Sequence, residues 1–366
     1  MRKINKILYR KIQLPVKIRK PVLALGSQTK NTVCFAKGGF AYISPVHPDL
    51  SSPQDYLKFE EDVKYFLRRQ PKIIAFDLHP EYASTKYAQE LSAVSYELRA
   101  IQHHHAHIAS CMAENGLRNE KVIGVSFDGT GLGSDNKLWG AEFLICDYSD
   151  FKRAAHLKEI PLLGGERAIL EPWRLVLAWG VPLKKIDKQK QRILKNMYLK
   201  SVNSPLTSSA GRLFDAAASL ILEKYKANFE AELAIKLERI ASKYEPSVSS
   251  YKFKIAREEN TYVLDPGPMF KEIIADLKSK VPKEKIASRF HLTVAEMVRK
   301  TCLILRKETG INRVALSGGV FQNKLLLKFC LDLLYKEGFR VFAHKALSCN
   351  DSGISLGQAV IVGYRS

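Results

Sequence analysis

Blocks of apolar residues along the chain predict buried strands that alternate with amphipathic helices. Short, largely apolar runs have the length expected of buried strands at residues 21–25, 73–76, 121–127 and 313–317. Apolar side chains recur at helical spacing before the second run, at residues 55–69, and after the last, at residues 324–335. This alternation of strands and helices is typical of an α/β fold.

Two of these strands lead into polar turns that contain glycine. Residues 26–32 read Gly-Ser-Gln-Thr-Lys-Asn-Thr, and residues 128–133 read Asp-Gly-Thr-Gly-Leu-Gly. Backbone N–H groups and hydroxyls in such turns can bind phosphate oxygens, and Asp128 can also hold a metal. Each could equally be an ordinary hairpin turn. Because each turn opens a further strand meander, the pair predicts two related lobes around a nucleotide.

The pattern predicts three parts in the chain. Residues 1–20 form a basic N-terminal segment, residues 21–151 a first lobe, and residues 152–366 a second lobe. The basic segment lacks the apolar stretch of a secretory signal. No apolar run reaches about 18 residues, so we expect no transmembrane helix.

Histidines His103, His104, His105 and His107 lie within five residues of one another, at the start of a run with helical periodicity. Residues four apart lie on one face of a helix, so His103 and His107 present two imidazoles to one point, as in helical metal sites. His104 lies three residues before His107 and can join that face. A metal site needs a further ligand, and Asp351 is the candidate, although helix capping is the commonest use of such an aspartate.

Two further segments suit a nucleoside. Residues 207–218 form a hydroxyl-rich cap followed by a helix, in which Arg212 and Asp215 lie one turn apart and can hold a ribose or phosphate. Late in the chain a strand ends in Ser-Gly-Gly at residues 317–319. The paired glycines permit close approach of the backbone to a flat ligand, and Asn323 can contact a base or ribose edge.

Composition widens the range of partners. The net charge is +21, from 58 lysines and arginines against 37 acidic residues, which favours nucleotides, nucleic acid or an acidic protein surface. The basic residues are spread through segments such as 184–200 and are not gathered into one tail. Six cysteines without a CxxC pair argue against a zinc ribbon or a disulfide framework and predict a reduced, cytoplasmic protein.

Motifs in one order over nearly the whole chain carry a family resemblance: LGSQTKNT (25–32), DLHPEYAST (77–85), QHHHAHIASCMAENG (102–116), FDGTGLG (127–133), EPWR (171–174), TSSAGRLFDAAA (207–218), SGGVFQN (317–323) and NDSGISLGQA (350–359). Together they resemble the Kae-like carbamoyltransferase domain of HypF-type hydrogenase-maturation proteins. The resemblance implies a bilobal α/β fold of the acetate-kinase/Hsp70/actin (ASKHA) type, with a nucleotide in the cleft between the lobes. It also implies transfer of a carbamoyl group from carbamoyl-adenylate, with AMP as leaving group, to the C-terminal cysteine thiol of HypE. That step leads to the cyanide ligand of [NiFe]-hydrogenase.

The same resemblance implies residue roles. A divalent metal, Fe(II) or Zn(II), is assigned to His103, His107 and Asp351. Nucleotide binding is assigned to Asp128, Gly129, Thr130, Gly131, Arg212, Asp215, Glu230, Gly318, Gly319 and Asn323. The catalytic set is Lys30 and Asn31, as contacts to the phosphate or carbamoyl group, with His104 and His105. Our hypothesis is that His104 or His105 accepts the proton of the incoming thiol.

The resemblance leaves more than one function open. The acylphosphatase, zinc-finger and YrdC-like adenylating domains of the family's longer proteins are absent from this sequence. We therefore expect a separate YrdC-like protein to supply carbamoyl-adenylate, unless the sequence is a fragment. A transferase that makes threonylcarbamoyladenosine on tRNA suits the positive charge, but the helix motif here is HHHAH and not HMEGH. An O-carbamoyltransferase acting on a small metabolite and a nucleotide-binding scaffold without catalysis also stay open.

Overall fold

The computed structural model describes residues 9–91, 96–244 and 249–366. Its strands are β1 (Arg10–Ala24), β2 (Thr29–Asn31), β3 (Cys34–Ile43), β4 (His47–Asp49), β5 (Ile73–Asp77), β6 (Glu97–Ile101), β7 (Val122–Leu132), β8 (Leu138–Cys146), β9 (Phe151–Leu157), β10 (Ile160–Pro161), β11 (Leu206–Thr207), β12 (Lys254–Glu258), β13 (Thr261–Asp265), β14 (Arg313–Ser317) and β15 (Arg340–Ala343). Its helices are α1 (Pro53–Leu67), α2 (Ala83–Glu90), α3 (His103–Glu114), α4 (Arg167–Leu170), α5 (Trp173–Ala178), α6 (Lys188–Leu199), α7 (Ala210–Leu222), α8 (Glu232–Ala241), α9 (Gly267–Lys278), α10 (Lys283–Thr309), α11 (Lys324–Lys336) and α12 (Ile354–Arg365). Short 3₁₀ turns at Gly319–Gln322 and Asp351–Gly353 precede α11 and α12.

The first sheet has four strands in the order β3-β1-β5-β6. β1 pairs antiparallel with β3 and parallel with β5, and β5 is parallel to β6. The strand predicted at residues 21–25 begins much earlier, at Arg10, and so runs through the described part of the predicted basic segment. The reason is that Leu14 and Ile18 are buried between the charged residues, and Ile18 packs against Gly363 of α12.

The second sheet has nine strands, with the path β12-β13-β9-β8-β7-β14-β15 and the short β10 and β11 beside it. β7 pairs parallel with β14 on one edge and antiparallel with β8 on the other. Residues 122–127 are buried throughout, as expected for a central strand. The second sheet therefore begins at Val122, ahead of the lobe boundary predicted at residue 151.

Helices α3 and α12 share one hydrophobic core with residues of both sheets. Glycines allow this close packing. A Cβ at Gly357 of α12 would lie 1.9 Å from the carbonyl oxygen of Ala106, and one at Gly124 of β7 would lie 2.6 Å from the side chain of Ile108. The N-terminal half of α3 is thus fixed between β7 and the turn that starts α12.

Strand β7 continues through the motif predicted as a turn at residues 128–133. It runs to Leu132, and its register against β8 shifts between Phe127 and Gly131. Residues 128–131 therefore belong to an irregularity inside the strand, which re-aims side chains as a β-bulge does. The prediction of a terminal turn here was wrong, because an Asp-Gly-Thr-Gly sequence suits a bulge as well as a turn.

Two other predicted elements differ in detail. The strand that ends in Ser-Gly-Gly does not enter a helix directly, because the 3₁₀ turn Gly319–Gln322 precedes α11. The sequence also predicts a helix at residues 84–93; in the structure this is α2, which ends at Glu90, and residues 92–95 lie outside the described residues. None of the helices in the described ranges combines the length and apolarity needed to cross a bilayer.

Candidate active site

A largely buried group of two imidazoles and two carboxylates, here called the histidine–carboxylate cluster, lies where α3, β7 and the last 3₁₀ turn meet. Its members are His103, His107, Asp128 and Asp351, and one ligand atom from each lies within 4.8 Å of all the others. Asp128 Oδ2 is 3.2 Å from Nε2 of both histidines. Asp351 Oδ1 is 3.9 Å from His103 Nε2 and 3.7 Å from His107 Nε2. The structure thus brings together the three predicted metal ligands and adds Asp128, which was predicted on the phosphate side.

Local structure explains how α3 presents these histidines. The side chain of Gln102 caps the helix by accepting a hydrogen bond from the backbone N–H of His105. The first turn is therefore regular, and His103 and His107 lie on one face. The imidazole rings of these two residues are 4.9 Å apart and nearly perpendicular.

Asp77, at the end of β5, orients His103. Its Oδ2 is 2.7 Å from His103 Nδ1, and both side chains are fully buried. This contact leaves Nε2 facing the cluster, as in metal sites where a carboxylate fixes the histidine ring. Burial lowers the pKa of His103, but the charge of Asp77 and the hydrogen bonds with Asp128 and Asp77 outweigh burial and hold that pKa well above its usual value. A cation is thus favoured between these carboxylates.

The pKa values of the two carboxylates in the cluster are shifted in opposite directions. Burial raises the pKa of Asp128, but hydrogen bonds from His103 and His107 bring it well below the usual range. Burial and the charge of Asp128 raise the pKa of Asp351. Two imidazole nitrogens with two carboxylate oxygens form a donor set that suits Fe(II) and Zn(II). The residues therefore fit the predicted metal.

A chain of buried polar groups leads away from His107. Ser317 Oγ is 3.5 Å from His107 Nδ1 and 2.9 Å from His344 Nε2. His344 Nδ1 is 2.7 Å from Glu114 Oε2, and Glu114 Oε1 accepts backbone hydrogen bonds from residues 345–347. Sequence reasoning missed this chain, as it missed Asp77, because its members come from three separate segments, namely α3, the end of β14 and residues 344–347. The only sequence signal was that Asp77 and Ser317 each end a buried strand.

His104 is oriented by Gln102. Gln102 Oε1 accepts a hydrogen bond from the backbone N–H of His105. Gln102 Nε2 donates to the carbonyl oxygen of Leu132 and to His104 Nδ1, both at 3.1 Å. Burial lowers the pKa of His104 well below its usual value, so the ring is neutral and carries its proton on Nε2. That Nε2 is buried and has no hydrogen-bond partner within the described residues. His104 is therefore an available donor, which differs from the proton acceptor of our hypothesis.

His105 lies on the other side of α3. Its Nε2 is 2.6 Å from the carbonyl oxygen of Asp147, and its ring packs against Phe151 at 5.0 Å. Burial lowers its pKa to about 4. The structure does not bring His105 to the cluster, because residues two apart on a helix face nearly opposite directions.

A second charged group, here called the arginine cluster, contains Arg212, Asp215 and Glu230. Arg212 Nε is 3.0 Å from Asp215 Oδ2, without hydrogen-bond alignment, and its Nη2 donates to Glu230 Oε1 at 3.1 Å. Arg212 is 1% exposed, yet its Nη1 has no partner in the described part of the chain. Burial outweighs the attraction of Arg212 and raises the pKa of Asp215 to about 6. The three predicted nucleoside residues are thus neighbours.

The β7 bulge joins the two clusters. Ser209, which caps α7, donates to the carbonyl oxygen of Asp128 at 3.1 Å and also contacts that of Gly129. A Cβ at Gly129 would lie 3.0 Å from Glu230 Oε1. Gly129 and Thr130 are half-buried, and a Cβ at Gly131 would contact the rings of His104 and His103.

The Ser-Gly-Gly segment also reaches Asp128. Gly318 has φ +101°, and a Cβ there would lie 2.2 Å from the carbonyl oxygen of Phe127, so only glycine is tolerated. The backbone N–H of Gly319 donates to Asp128 Oδ1 at 3.0 Å. Asn323, predicted to contact a base or ribose, instead caps α11 and donates to His291 Nε2 at 2.9 Å.

The predicted contacts Lys30 and Asn31 have different surroundings. Asn31 is buried and donates to the carbonyl oxygens of Leu25 and Ser27 at 2.7 and 2.6 Å, so its amide holds the loop together. Lys30 is exposed at φ 47°, and its charge acts on Asp351. Of the two side chains, only Lys30 is free to contact a ligand.

Two family models match consecutive parts of this chain. The family described as the HypF Kae1-like domain matches residues 17–114, and the carbamoyltransferase Kae1-like domain, second subdomain, matches residues 124–358. The chain is 34% identical to carbamoyltransferase HypF of Synechocystis sp., over 95% of this chain and 48% of that protein. It is 35% identical to a carbamoyltransferase HypF homolog of Cupriavidus necator, over 93% of this chain and 90% of that protein.

A solved structure extends the likeness to three dimensions. The crystal structure of full-length HypF in the phosphate- and nucleotide-bound form matches with a TM-score of 0.91 at 38% identity, over 97% of this chain and 57% of that one. The chain spans about half the length of the Synechocystis relative and nearly all of the Cupriavidus one. The predicted α/β fold of the ASKHA type is confirmed, and the chain belongs to the HypF carbamoyltransferase family, in its Kae1-like part.

Proposed function

We propose that this chain transfers a carbamoyl group from carbamoyl-adenylate to the C-terminal cysteine of a HypE-like protein during hydrogenase maturation. Membership of the HypF family supports the carbamoyltransferase class and the maturation role. The observation that carries the proposal is that the histidine–carboxylate cluster and the arginine cluster meet at the Asp128–Gly129 bulge. Groups suited to acyl-transfer chemistry and groups suited to a nucleotide are therefore neighbours.

The proposed reaction needs an electrophile and a leaving group held together. Carbamoyl-adenylate is a mixed anhydride. The thiolate sulfur forms a bond to the carbamoyl carbon, the bond from that carbon to the AMP oxygen breaks, and AMP leaves with the electron pair. A divalent metal, Fe(II) or Zn(II), held by His103, His107, Asp128 and Asp351, would supply Lewis acidity that polarises the carbonyl.

The protein groups around the cluster bind and orient the donor. We assign the buried Nε2–H of His104 to the carbamoyl oxygen, where a fixed donor stabilises the negative charge that develops. The exposed Lys30 supplies positive charge for the phosphate. The unpartnered Nη1 of Arg212, with Asp215 and Glu230 beside it, suits the ribose of the nucleotide.

The donor in this proposal comes from a separate YrdC-like protein that converts carbamoyl phosphate and ATP into carbamoyl-adenylate. The Cupriavidus relative, of which this chain covers 90%, is a HypF homolog of comparable size. The solved full-length HypF structure is in a nucleotide-bound form, which supports a nucleotide as a ligand of this family.

The test combines the purified chain, Fe(II) or Zn(II), a YrdC-like protein with carbamoyl phosphate and ATP, and HypE as acceptor. Intact-mass spectrometry is expected to show one carbamoyl group on the HypE C-terminal cysteine. The double variant His103→Ala/His107→Ala should lose this product. His156→Gln, which changes a histidine of β9 bonded to the carbonyl of its neighbour Leu157, should retain it.

A parallel reaction separates carbamoylation of HypE from modification of tRNA. It contains unmodified tRNA and threonylcarbamoyl-adenylate in place of HypE and its donor. Product on tRNA alone would move the chain to the tRNA-modifying branch. Absence of product on both acceptors, with a properly folded protein, would contradict the proposed function.

A further inference from the structure

A wide groove lies on the second half of the chain, at the far end of α7 from the arginine cluster. It has a volume of about 870 Å³ and is bounded by the segment 181–184, α6, α7 and α9. Arg212 is in the first turn of α7 and Leu220, which lines the groove, lies eight residues later, about 12 Å along the helix. The groove is therefore separate from the candidate active site.

The floor and rim of this groove have opposite character. Leu183, Leu220 and Leu277 are among the aliphatic residues of the floor, and no aromatic residue lines it within the described part of the chain. The rim carries lysines and one arginine from α6 and a lysine from the end of α9. We call the whole feature the basic-rimmed groove. Its lining contains several cations and no carboxylate among the described residues.

The rim cations are not neutralised by the protein. Lys188, Arg192, Lys195 and Lys278 line the groove and have no carboxylate within ion-pairing distance in the described ranges. Neighbouring cations outside the groove are paired, since Lys185 and Lys283 both contact Glu223, at 3.1 and 2.9 Å. Unpaired positive charge around an apolar floor is complementary to a partner that is apolar on one face and acidic at its edges.

The wall of the groove formed by α6 adds a second argument. Leu194 is the buried residue of this twelve-residue helix, and the other side chains are half-buried or exposed. The helix therefore contributes little to the core of the chain, and one of its faces is available to a partner.

The groove is large enough to hold a short helix. Two turns of α-helix, about 10 Å long and about 10 Å wide with side chains, fill about 800 Å³, close to the volume of the groove. Amphipathic helices bind apolar grooves through residues at positions i, i+3, i+4 and i+7. Nucleic acid binding commonly uses aromatic stacking platforms in addition to cations, and none of the described residues lining this groove is aromatic.

We propose that the basic-rimmed groove binds an acidic amphipathic helix of a partner protein. The apolar face of the helix contacts the leucines of the floor, and its carboxylates face the lysines and arginine of the rim. This inference does not depend on the carbamoyl-transfer reaction, because no group of either cluster takes part.

The test uses the full chain and a synthetic probe. The probe is a fluorescein-labelled helical peptide of about 14 residues, with leucines on one face and glutamates elsewhere. A scrambled peptide of the same composition is its control. Fluorescence anisotropy is expected to show saturable binding of the probe, which weakens as salt rises from about 0.05 M to about 0.3 M.

Protein variants locate the binding site. The charge reversal Lys188→Glu/Arg192→Glu/Lys195→Glu, on exposed positions of α6, should weaken binding at least about tenfold. Leu277→Gln, on the floor, should also weaken binding of the peptide. Because the rim cations are intact in this variant, the remaining binding should still weaken as salt rises. The matched control Lys17→Glu/Arg19→Glu/Lys37→Glu reverses three cations of the first sheet, away from the groove, and should bind as the unchanged protein does.

Three results would overturn the proposal. They are absence of saturable binding, equal binding of the scrambled peptide, and equal weakening in the two charge-reversed variants. Single-stranded DNA and anionic phosphatidylserine vesicles are compared with the peptide as competitors. If either binds through the three α6 cations while the peptide does not bind, the groove recognises nucleic acid or membrane and not a protein helix.

Discussion

The histidine–carboxylate cluster and the arginine cluster lie on either side of one bulge in β7 but differ in how completely their polar groups are bonded. In the first, His103 is held by Asp77, and Asp128 accepts from the backbone of Gly319. In the second, Arg212 Nη1 and Asp215 Oδ2 are buried without hydrogen-bond partners among the described residues. Ligands that the protein already orients are typical of a preorganised metal site, whereas unpaired buried groups are costly until something bonds to them. The metal-ligand side chains of the first cluster are thus already oriented by the protein, whereas the buried polar groups of the second need hydrogen bonds from a ligand.

The strongest test of this difference is Asp128→Asn. The substitution keeps the shape of the side chain but removes the charge that both His103 and His107 contact at 3.2 Å. We expect metal retention to be lost and carbamoyl transfer to fall by more than about 100-fold, beyond the usual effect of removing an outer contact. Bound metal measured by mass spectrometry, together with the HypE transfer assay, checks this result.

The matched control for Asp128→Asn is Asp150→Asn, on the exposed loop before β9. It should leave metal content and transfer unchanged. Normal metal retention by Asp128→Asn would show that Asp128 belongs to the phosphate side, as the sequence predicted, and would remove the contrast between the clusters.

Substitutions of His104 test the idea that a hydrogen-bond donor beside the histidine–carboxylate cluster binds the substrate. We expect His104→Phe, which keeps a ring but removes the Nε2–H, to lower kcat about 10²- to 10³-fold with little change in KM. His104→Gln restores an N–H donor and should recover part of the loss. A base cannot be replaced by an amide, so equal loss in both variants would return His104 to the role of proton acceptor.

The sequence predicted the parts of the site that depend on local periodicity. His103 and His107 lie four apart on a helix, and Arg212 and Asp215 lie three apart, so their proximity follows from helix geometry alone. The sequence nevertheless assigned His105 to the catalytic set, although the same geometry turns it away from His103, and in the structure it faces the carbonyl of Asp147. Nothing in local spacing links Asp77 or His344 to the histidines, because those contacts depend on which strands are neighbours in the sheets.

Asparagines and the glycine-rich motif show where local patterns mislead. Asn31 and Asn323 lie in polar connections, which suggested ligand contacts, yet each bonds to nearby backbone and to a buried histidine. A buried amide with several donors and acceptors serves a loop or a cap as readily as a ligand. The bulge at Asp128 was missed for a related reason, since only pairing with β8 distinguishes a bulge from a turn.

The pH dependence of stability sharpens the description of the arginine cluster. The pKa of Asp215 is raised to about 6, so between about pH 4 and about pH 6 the folded chain holds more protons than the unfolded chain. This contribution to the free energy of unfolding is present below about pH 4 and falls by up to about 3 kcal/mol as pH rises through 6. Asp215→Asn should remove that decline, measured by urea unfolding at about pH 4 and about pH 7.

Asp332→Asn provides the comparison, since Asp332 is exposed on α11 and paired only with Lys328 in the described structure. It should keep the decline of the unchanged protein. If Asp215→Asn instead lowers stability near pH 7 while the decline persists, the ion pair with Arg212 outweighs burial, and the arginine cluster is as complete as its neighbour.

The smallest expected effect concerns the polar chain from His107 through Ser317 to His344. It tests how much this chain contributes to the order of the histidine–carboxylate cluster. Ser317→Ala removes the hydroxyl between His107 and His344 and should weaken metal affinity about 10- to 100-fold, or about 1.4 to 2.7 kcal/mol. Competition with a chelator measures the affinity.

Ser126 is the control, because it is the register partner of Ser317 on β7, equally buried, and its Oγ has no partner among the described residues. Ser126→Ala should therefore bind metal normally. Equal losses of metal affinity in the two variants would mean that packing, and not hydrogen bonding, orients His107. The close contact of α3 with α12 would then be what fixes the geometry of the histidine–carboxylate cluster.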